Sequence, residues 1–287
     1  MISGTASSPL ERIRLVCDRS QSFPILLTKA PHKVTTTLPR NVFPQAIRSD
    51  GPAPGVAENV MAGYLRAKKE CVAKVDKISK ECRRNNQKYS DPDFNLWNLS
   101  LCTKPLTIPP QEFIPGSVKR VKQIFDKPQF FVDGATADDV RQGQAGDCWF
   151  LSALCALCSI QAEDLGNLVE WICVHRDEAV GVYGFVFYRD GEWRDEIIDD
   201  KLYITARDYE DVETTEMDFL LKYIKDKNRA EQYRKIVQRN SEALYYARSA
   251  HDSETWVPLI EKAYAKAHGD YEAIRGGYPG YDHLLLR

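Results

Sequence analysis

Between Trp149 and Ile160 the chain is almost wholly apolar and rich in helix formers. Such a segment must fold as a helix buried over most of its surface. The residues before it, Gln142-Gly143-Gln144-Ala145-Gly146-Asp147-Cys148, place two glycines and then a cysteine at the helix start. The first N–H groups of a helix have no partner inside it and carry the positive end of its dipole. A cysteine there has the electropositive, partly exposed setting of a reactive thiol. Gly143 and Gly146 allow a sharp turn and close approach to a substrate. Gln142, six residues ahead of Cys148, can aim its amide at a developing oxyanion, with the Cys148 N–H as second donor. Asp147 reads as the N-cap, with no part in the chemistry. Each residue alone also suits an ordinary loop; taken in this order they make Cys148 the candidate nucleophile and Gln142 its helper.

This run resembles the active-site segment of the calpain family of calcium-dependent cysteine endopeptidases and, more distantly, the papain signature. Three further stretches in the same order favour calpain: Pro128-Gln129-Phe130-Phe131-Val132-Asp133-Gly134-Ala135-Thr136, Gly191-Glu192-Trp193 through Asp199-Asp200, and Glu261-Lys262-Ala263-Tyr264-Ala265-Lys266. The resemblance covers Phe113 to Gly277. Within it, Gly116-Ser117-Val118-Lys119-Arg120 and Gly181-Val182-Tyr183-Gly184-Phe185 look most like fungal members. The resemblance implies an α+β fold: the first, mainly helical half of a papain-like core with a small antiparallel hairpin or sheet, plus an N-terminal helical extension. It also implies protein or peptide substrates. Calcium enters by the same route, held by the carbonyls of Val132 and Gly134 and the side chains of Asp139 and Glu254; no twelve-residue EF-hand loop is visible.

Length and charge agree with an enzyme piece. The 287 residues, 43% of them hydrophobic, suffice for one sizeable core. A net charge of −2 argues against a nucleic-acid binder. No apolar run approaches the ~18 residues of a membrane-spanning helix, and the first thirty residues show no secretory pattern. The expected setting is therefore cytoplasmic, with the eight cysteines as free thiols. Cys155 and Cys158 form a C-x-x-C inside the apolar helix, which reads as core packing; zinc lacks a second ligand pair.

Three regions follow from composition. Residues 1–55 are Pro-rich and expected to lack regular structure. Residues 56–110 hold an amphipathic helix and a wrapping linker. The helix, to about Lys88, has Met61, Tyr64, Leu65, Cys71, Val72, Val75, Ile78 and Cys82 on one face. Its other face is basic, which suits a solvated surface, an acidic partner or an anionic membrane. Residues 111–287 are the calpain-like part, with an insertion at about 205–250 relative to familiar animal members. The insertion opens acidic (Glu210, Asp211, Glu213, Glu216, Asp218) and then reads as helical from Phe219 to Tyr246. A short helix is expected near Leu165–Cys173. Val182–Tyr188 and Trp193–Ile198 flank Asp190-Gly191, a hairpin signal. A last helix is expected from a Ser253 cap to His268, with Gly269 after it and an apolar stripe of Trp256, Leu259, Ile260, Ala263, Tyr264 and Ala267.

A thiol peptidase needs a histidine to move the proton and a third group to orient it. None of His32, His175, His251, His268 and His283 has the setting of the family's catalytic histidine. His251 and His268 flank the last helix, and His175 is expected in a helix-to-strand connection. The catalytic histidine and asparagine belong to the family's second half, which has no counterpart in the ten residues after Gly277. Two readings follow. In one, the chain is a calpain-like peptidase truncated at the half-core boundary; in the other, it is an inactive, calpain-derived binding or regulatory module.

Overall fold

The structure, a computed structural model, describes residues 54–96, 115–162, 166–189, 191–212 and 228–276; for 54–60, 161–162 and 166 it describes the backbone alone. The Pro-rich 1–53 segment, most of the expected wrapping linker, Glu213, Glu216 and Asp218 of the acidic front, and His32 and His283 lie outside these residues.

The architecture is mixed helix and sheet. In chain order the described elements include helix α1 (Pro54–Arg84), strand β1 (Ser117–Arg120), α2 (Val121–Ile124), β2 (Val140–Arg141) and α3 (Cys148–Ser159). Then come β3 (Gln161–Ala162), β4 (Gly166–Asn167), α4 (Leu168–Ile172), β5 (Cys173–Asp177), β6 (Val182–Arg189), β7 (Glu192–Asp199) and β8 (Lys201–Ile204). Helix α5 (Arg229–Val237), β9 (Arg248–Ser249) and α6 (Trp256–His268) complete the order. Strands β5, β6 and β7 form an antiparallel meander, and β1–β8, β2–β9 and β3–β4 pair as short antiparallel ladders.

The β6–β7 hairpin bears out its sequence signal: Gly191 has φ 84°, in the region the turn demands of glycine. Strand β6 is buried on both faces, and its period of two divides the core. Tyr183, Phe185 and Phe187 join α3 and α6 in the main cluster, whereas Val182 and Val186 join α1 in a second. Gly184 faces α1, where a Cβ would lie 2.5 Å from Cys71 Sγ and 2.8 Å from Val75 Cγ2. The missing side chain lets the helix lie directly on the strand.

Helix α1 is amphipathic as expected, but its buried face is narrower than the apolar spacing suggests. Tyr64, Ala67, Cys71 and Val75 meet the sheet, while Met61 (44% exposed) and Leu65 (56% exposed) face outward. The three-stranded sheet covers one stripe of the helix, not half its circumference. Part of the basic face is engaged inward: Lys74 pairs with Asp195 at 2.8 Å and Arg83 with Asp177 at 2.6 Å. His175, expected in a connection, lies in β5 and meets Asp76 of α1 at 3.0 Å.

Other boundaries move for physical reasons. Helix α6 begins at Trp256, not after Ser253, and Ser253 caps nothing: its hydroxyl meets His251 Nδ1. Pro258 explains the shift, since a helix starting after Ser253 would need the N–H that proline lacks, whereas from Trp256 it falls in the tolerant first turn. Gly269, at φ 108°, ends this helix as expected. Helix α4 is shorter than expected because Asn167 caps it, its side chain accepting from the Val169 N–H. Of the insertion's helical rear, α5 is the described helix; Ser241–Ala243 is a 3-10 turn. Residues Ser90–Leu96 wrap nothing loosely: Asp91, Phe94 and Leu96 are buried in the core.

Candidate functional site

Cys148 is the first residue of α3 and is exposed, as the sequence leads one to expect. The rest of that helix is its anchor. Trp149, Phe150, Leu151, Leu154 and Leu157 are buried, and Phe150 stacks on Tyr264 of α6 with ring centroids 4.3 Å apart. The two serines of this apolar helix satisfy themselves locally, Ser152 donating to the Cys148 carbonyl and Ser159 to that of Cys155. Cys158 is buried and Cys155 half-buried, as core packing requires.

The loop before Cys148 is braced from two sides. The end of the insertion runs antiparallel to it: Val140 and Arg141 pair with Ser249 and Arg248, and the Gln144 N–H donates to the Tyr245 carbonyl at 2.9 Å. On the other side the Gly276 N–H donates to the Gly146 carbonyl at 2.9 Å, and Trp149 Nε1 donates to the Ile274 carbonyl at 2.9 Å. The two glycines thus differ. A Cβ on Gly143 would fall 2.2 Å from the Tyr246 carbonyl oxygen, while one on Gly146 would meet nothing nearer than Arg275 Cγ at 3.7 Å. Gly143→Ala is expected to cost about 1–3 kcal/mol, as overpacking against backbone does, and Gly146→Ala to stay within about 0.5 kcal/mol. Chemical denaturation of the two variants checks this.

Gln142 is exposed, and its Nε2 donates to the Ala145 carbonyl at 2.8 Å. Asp147 is not the cap it resembles. Its side chain accepts no capping bond, and both carboxylate oxygens are buried without a donor; its backbone carbonyl instead accepts from the Phe150 and Leu151 N–H groups. Glu261 of α6 faces it from the core. The sequence reading missed Glu261 as a neighbour of this turn; the available signal was an acid within an otherwise apolar helix.

The residues assigned to calcium converge around one loop. Asp133 and Gly134 turn through left-handed φ values of 58° and 92°. Glu254 is fully buried, accepting from the Val132 N–H at 2.7 Å and from the Ser249 hydroxyl. Gln129 bridges to Glu254, and the Gln129 carbonyl accepts from the Thr255 N–H. Asp139 accepts from Thr136 N and Oγ1 at 2.8 Å each. Burial first, and the nearby Asp139 charge after it, push the Glu254 carboxyl above its ordinary range.

Among the described residues the histidines are engaged elsewhere: His175 with Asp76, His251 with Ser253 and His268 against the Tyr264 ring. No described group of three or more His, Cys, Asp or Glu side chains could hold a metal, and no described helix is long and apolar enough to cross a membrane.

Comparison with known proteins bears on the family of the chain. Residues 89–281 match the family described as calpain family cysteine protease, a match that starts ahead of Phe113 and takes in the buried Asp91–Leu96 segment. The chicken (Gallus gallus) calpain-2 catalytic subunit is 30% identical over 207 residues, covering 70% of this chain and 23% of the relative. Mouse (Mus musculus) calpain-5 is 31% identical over 207 residues, covering 70% and 26%, and the bovine (Bos taurus) calpain-2 catalytic subunit 32% over 197 residues, covering 69% and 23%. The chain thus spans about a quarter of the length of these relatives. By motif, site geometry and extended similarity, this chain belongs to the calpain family of cysteine proteases.

Proposed function

We propose that residues 111–287, together with the buried segment ahead of them, are the first half of a calpain-type peptidase core that cleaves intracellular proteins at Cys148. The observation that carries this reading is the exposed thiol at the first residue of a helix otherwise locked into the core. Cys148 Sγ would attack the peptide carbonyl, and the tetrahedral oxyanion would accept from the Cys148 N–H and from Gln142 Nε2, once the latter turns from the Ala145 carbonyl. The thiol proton would pass to a histidine outside the described residues, since the described ones are held elsewhere. A cytoplasmic setting is part of this reading.

A peptidyl chloromethyl ketone tests it directly. Peptide mapping should find the label on Cys148 in preference to Cys82 and Cys155, the other described thiols that are not fully buried. Equal labelling of the three would overturn the assignment.

Calcium belongs to the same proposal. Asp139 and Glu254, with the carbonyls of Val132 and Gly134, would hold the ion and fix the loop that lies against α6. Bound calcium would supply a fixed positive charge that neutralises the two carboxylates. A ligand that binds only the folded state stabilises it, by about 2.7 kcal/mol at a hundredfold excess over Kd. Millimolar calcium is therefore expected to raise the melting temperature of the chain, and Asp139→Asn to remove most of that rise. An unchanged melting temperature counts against these ligands.

A further inference from the structure

Asp147 and Glu261 are both 0% exposed and lie within hydrogen-bonding reach of each other. Glu261 Oε2 accepts from the Ala247 N–H at 2.9 Å, but Glu261 Oε1 and both Asp147 oxygens find no protein donor. Two ionised carboxylates in contact in a dry interior repel strongly, and one of them takes up a proton instead. Among the described residues no cation acts on them. The groups that act on the pair from the insertion's return and from the turn after α6 are the phenols of Tyr246 and Tyr271, and Lys262, next in α6, is turned to Asp199. No third acidic, histidine or cysteine side chain makes a metal set with them among the described residues. Burial raises both carboxyls, and the facing Asp147 raises Glu261 further, well above the ordinary glutamate range.

We propose that Asp147 and Glu261 share a single proton and together act as a positioning pair for Cys148. The protonated Glu261 carboxyl donates through Oε1 to the Asp147 carboxylate, while its Oε2 holds the Ala247 N–H. The residue before the candidate nucleophile is thereby tied to α6 and, through Ala247, to the Tyr245-Tyr246 segment that braces Gly143 and Gln144. The remaining negative charge rests on Asp147 at the N-terminus of α3, where the helix dipole favours it. The inference rests on the reading of Cys148 as nucleophile. Glu261 has its folded value raised, so the contribution of the pair is complete below the ordinary glutamate range and is lost as pH rises through the folded value.

The test is the rate of Cys148 alkylation by iodoacetamide, followed by peptide mapping across pH in the 287-residue chain, in Glu261→Gln and in Asp147→Asn. Glutamine at 261 keeps both hydrogen bonds and cannot ionise. Relative to Glu261→Gln, the parent is expected to lose about tenfold in Cys148 reactivity as the pair gives up its proton, the size of a shift of one pKa unit. Asp147→Asn should flatten the profile in the same way. Superimposable profiles overturn the pair, whereas a Cys148 no more reactive than Cys82 at any pH overturns the nucleophile reading instead. Should neither variant fold, carboxyl-carbon NMR of the parent decides: a glutamate still protonated at neutral pH supports the pair, and glutamates that are all ionised there refute it.

Discussion

With Cys148 as the proposed nucleophile, Cys148→Ala is expected to abolish any peptide-bond cleavage, lowering kcat/KM for casein or a fluorogenic peptide by about four orders of magnitude or more, as removing a covalent nucleophile does. The loss should be chemical and not structural. Cys148 is exposed, and its helix is held by Trp149, Phe150, Leu151 and Leu154 below it and by the Trp149 indole bond to the Ile274 carbonyl. The variant is therefore expected to melt within about 0.5 kcal/mol of the parent, as for other exposed substitutions. Cys148→Ser gives a finer comparison: it keeps the shape and exchanges a thiol for a far weaker nucleophile. It should be nearly as inactive while still binding substrate. Calcium-stimulated cleavage that survives in Cys148→Ala would remove the peptidase reading, because no other described cysteine combines exposure with a helix N-terminus.

What was legible in the sequence was local. The buried helix, the cysteine at its first residue and the β6–β7 turn each depend on neighbours within a few positions, so periodicity and turn chemistry suffice to place them. Partners distant in sequence were not legible. Gly143 and Gly146 look alike in the chain, yet one lies against the Tyr245-Tyr246 backbone about a hundred residues later and the other does not. Asp147 has the chemistry and position of an N-cap, but the core places Glu261 opposite its side chain and turns it inward. Met61 and Leu65 fall on the apolar face of α1 by spacing and outside it by contact, because the width of the sheet decides how much of a helix is covered.

Helix α6 shows the same division within one motif, and it carries the largest expected effect on stability. The apolar stripe of Glu261-Lys262-Ala263-Tyr264-Ala265-Lys266 is legible; that its charged members point into the protein is not. Lys262 is fully buried and its ammonium spends all three N–H donors, on Asp199 Oδ1, on the Asp199 carbonyl at 3.0 Å and on the Lys201 carbonyl at 2.8 Å. Asp199 accepts in addition from the Asp91 and Lys201 N–H groups. Burial opposes the Asp199 charge, but Lys262 and these donors outweigh it and hold the carboxyl below its ordinary range. The stability that Asp199 contributes is thus present above the ordinary aspartate range and lost as pH falls through the depressed value. Lys262→Met keeps the bulk and deletes the ammonium, leaving two carbonyls without this donor and the buried Asp199 carboxylate with the Lys201 ammonium, 3.7 Å away, as its remaining cation. The expected cost is about 3–5 kcal/mol, the penalty for breaking a buried pair from one side. At roughly 2–4 °C per kcal/mol for a domain of this size, the melting temperature should fall by about 6–20 °C. Adding Asp199→Asn to Lys262→Met removes the stranded charge while keeping an acceptor for the Asp91 and Lys201 N–H groups, and should recover more than half of the loss. A double variant no more stable than Lys262→Met would place the cost in packing and not in the poorly compensated charge.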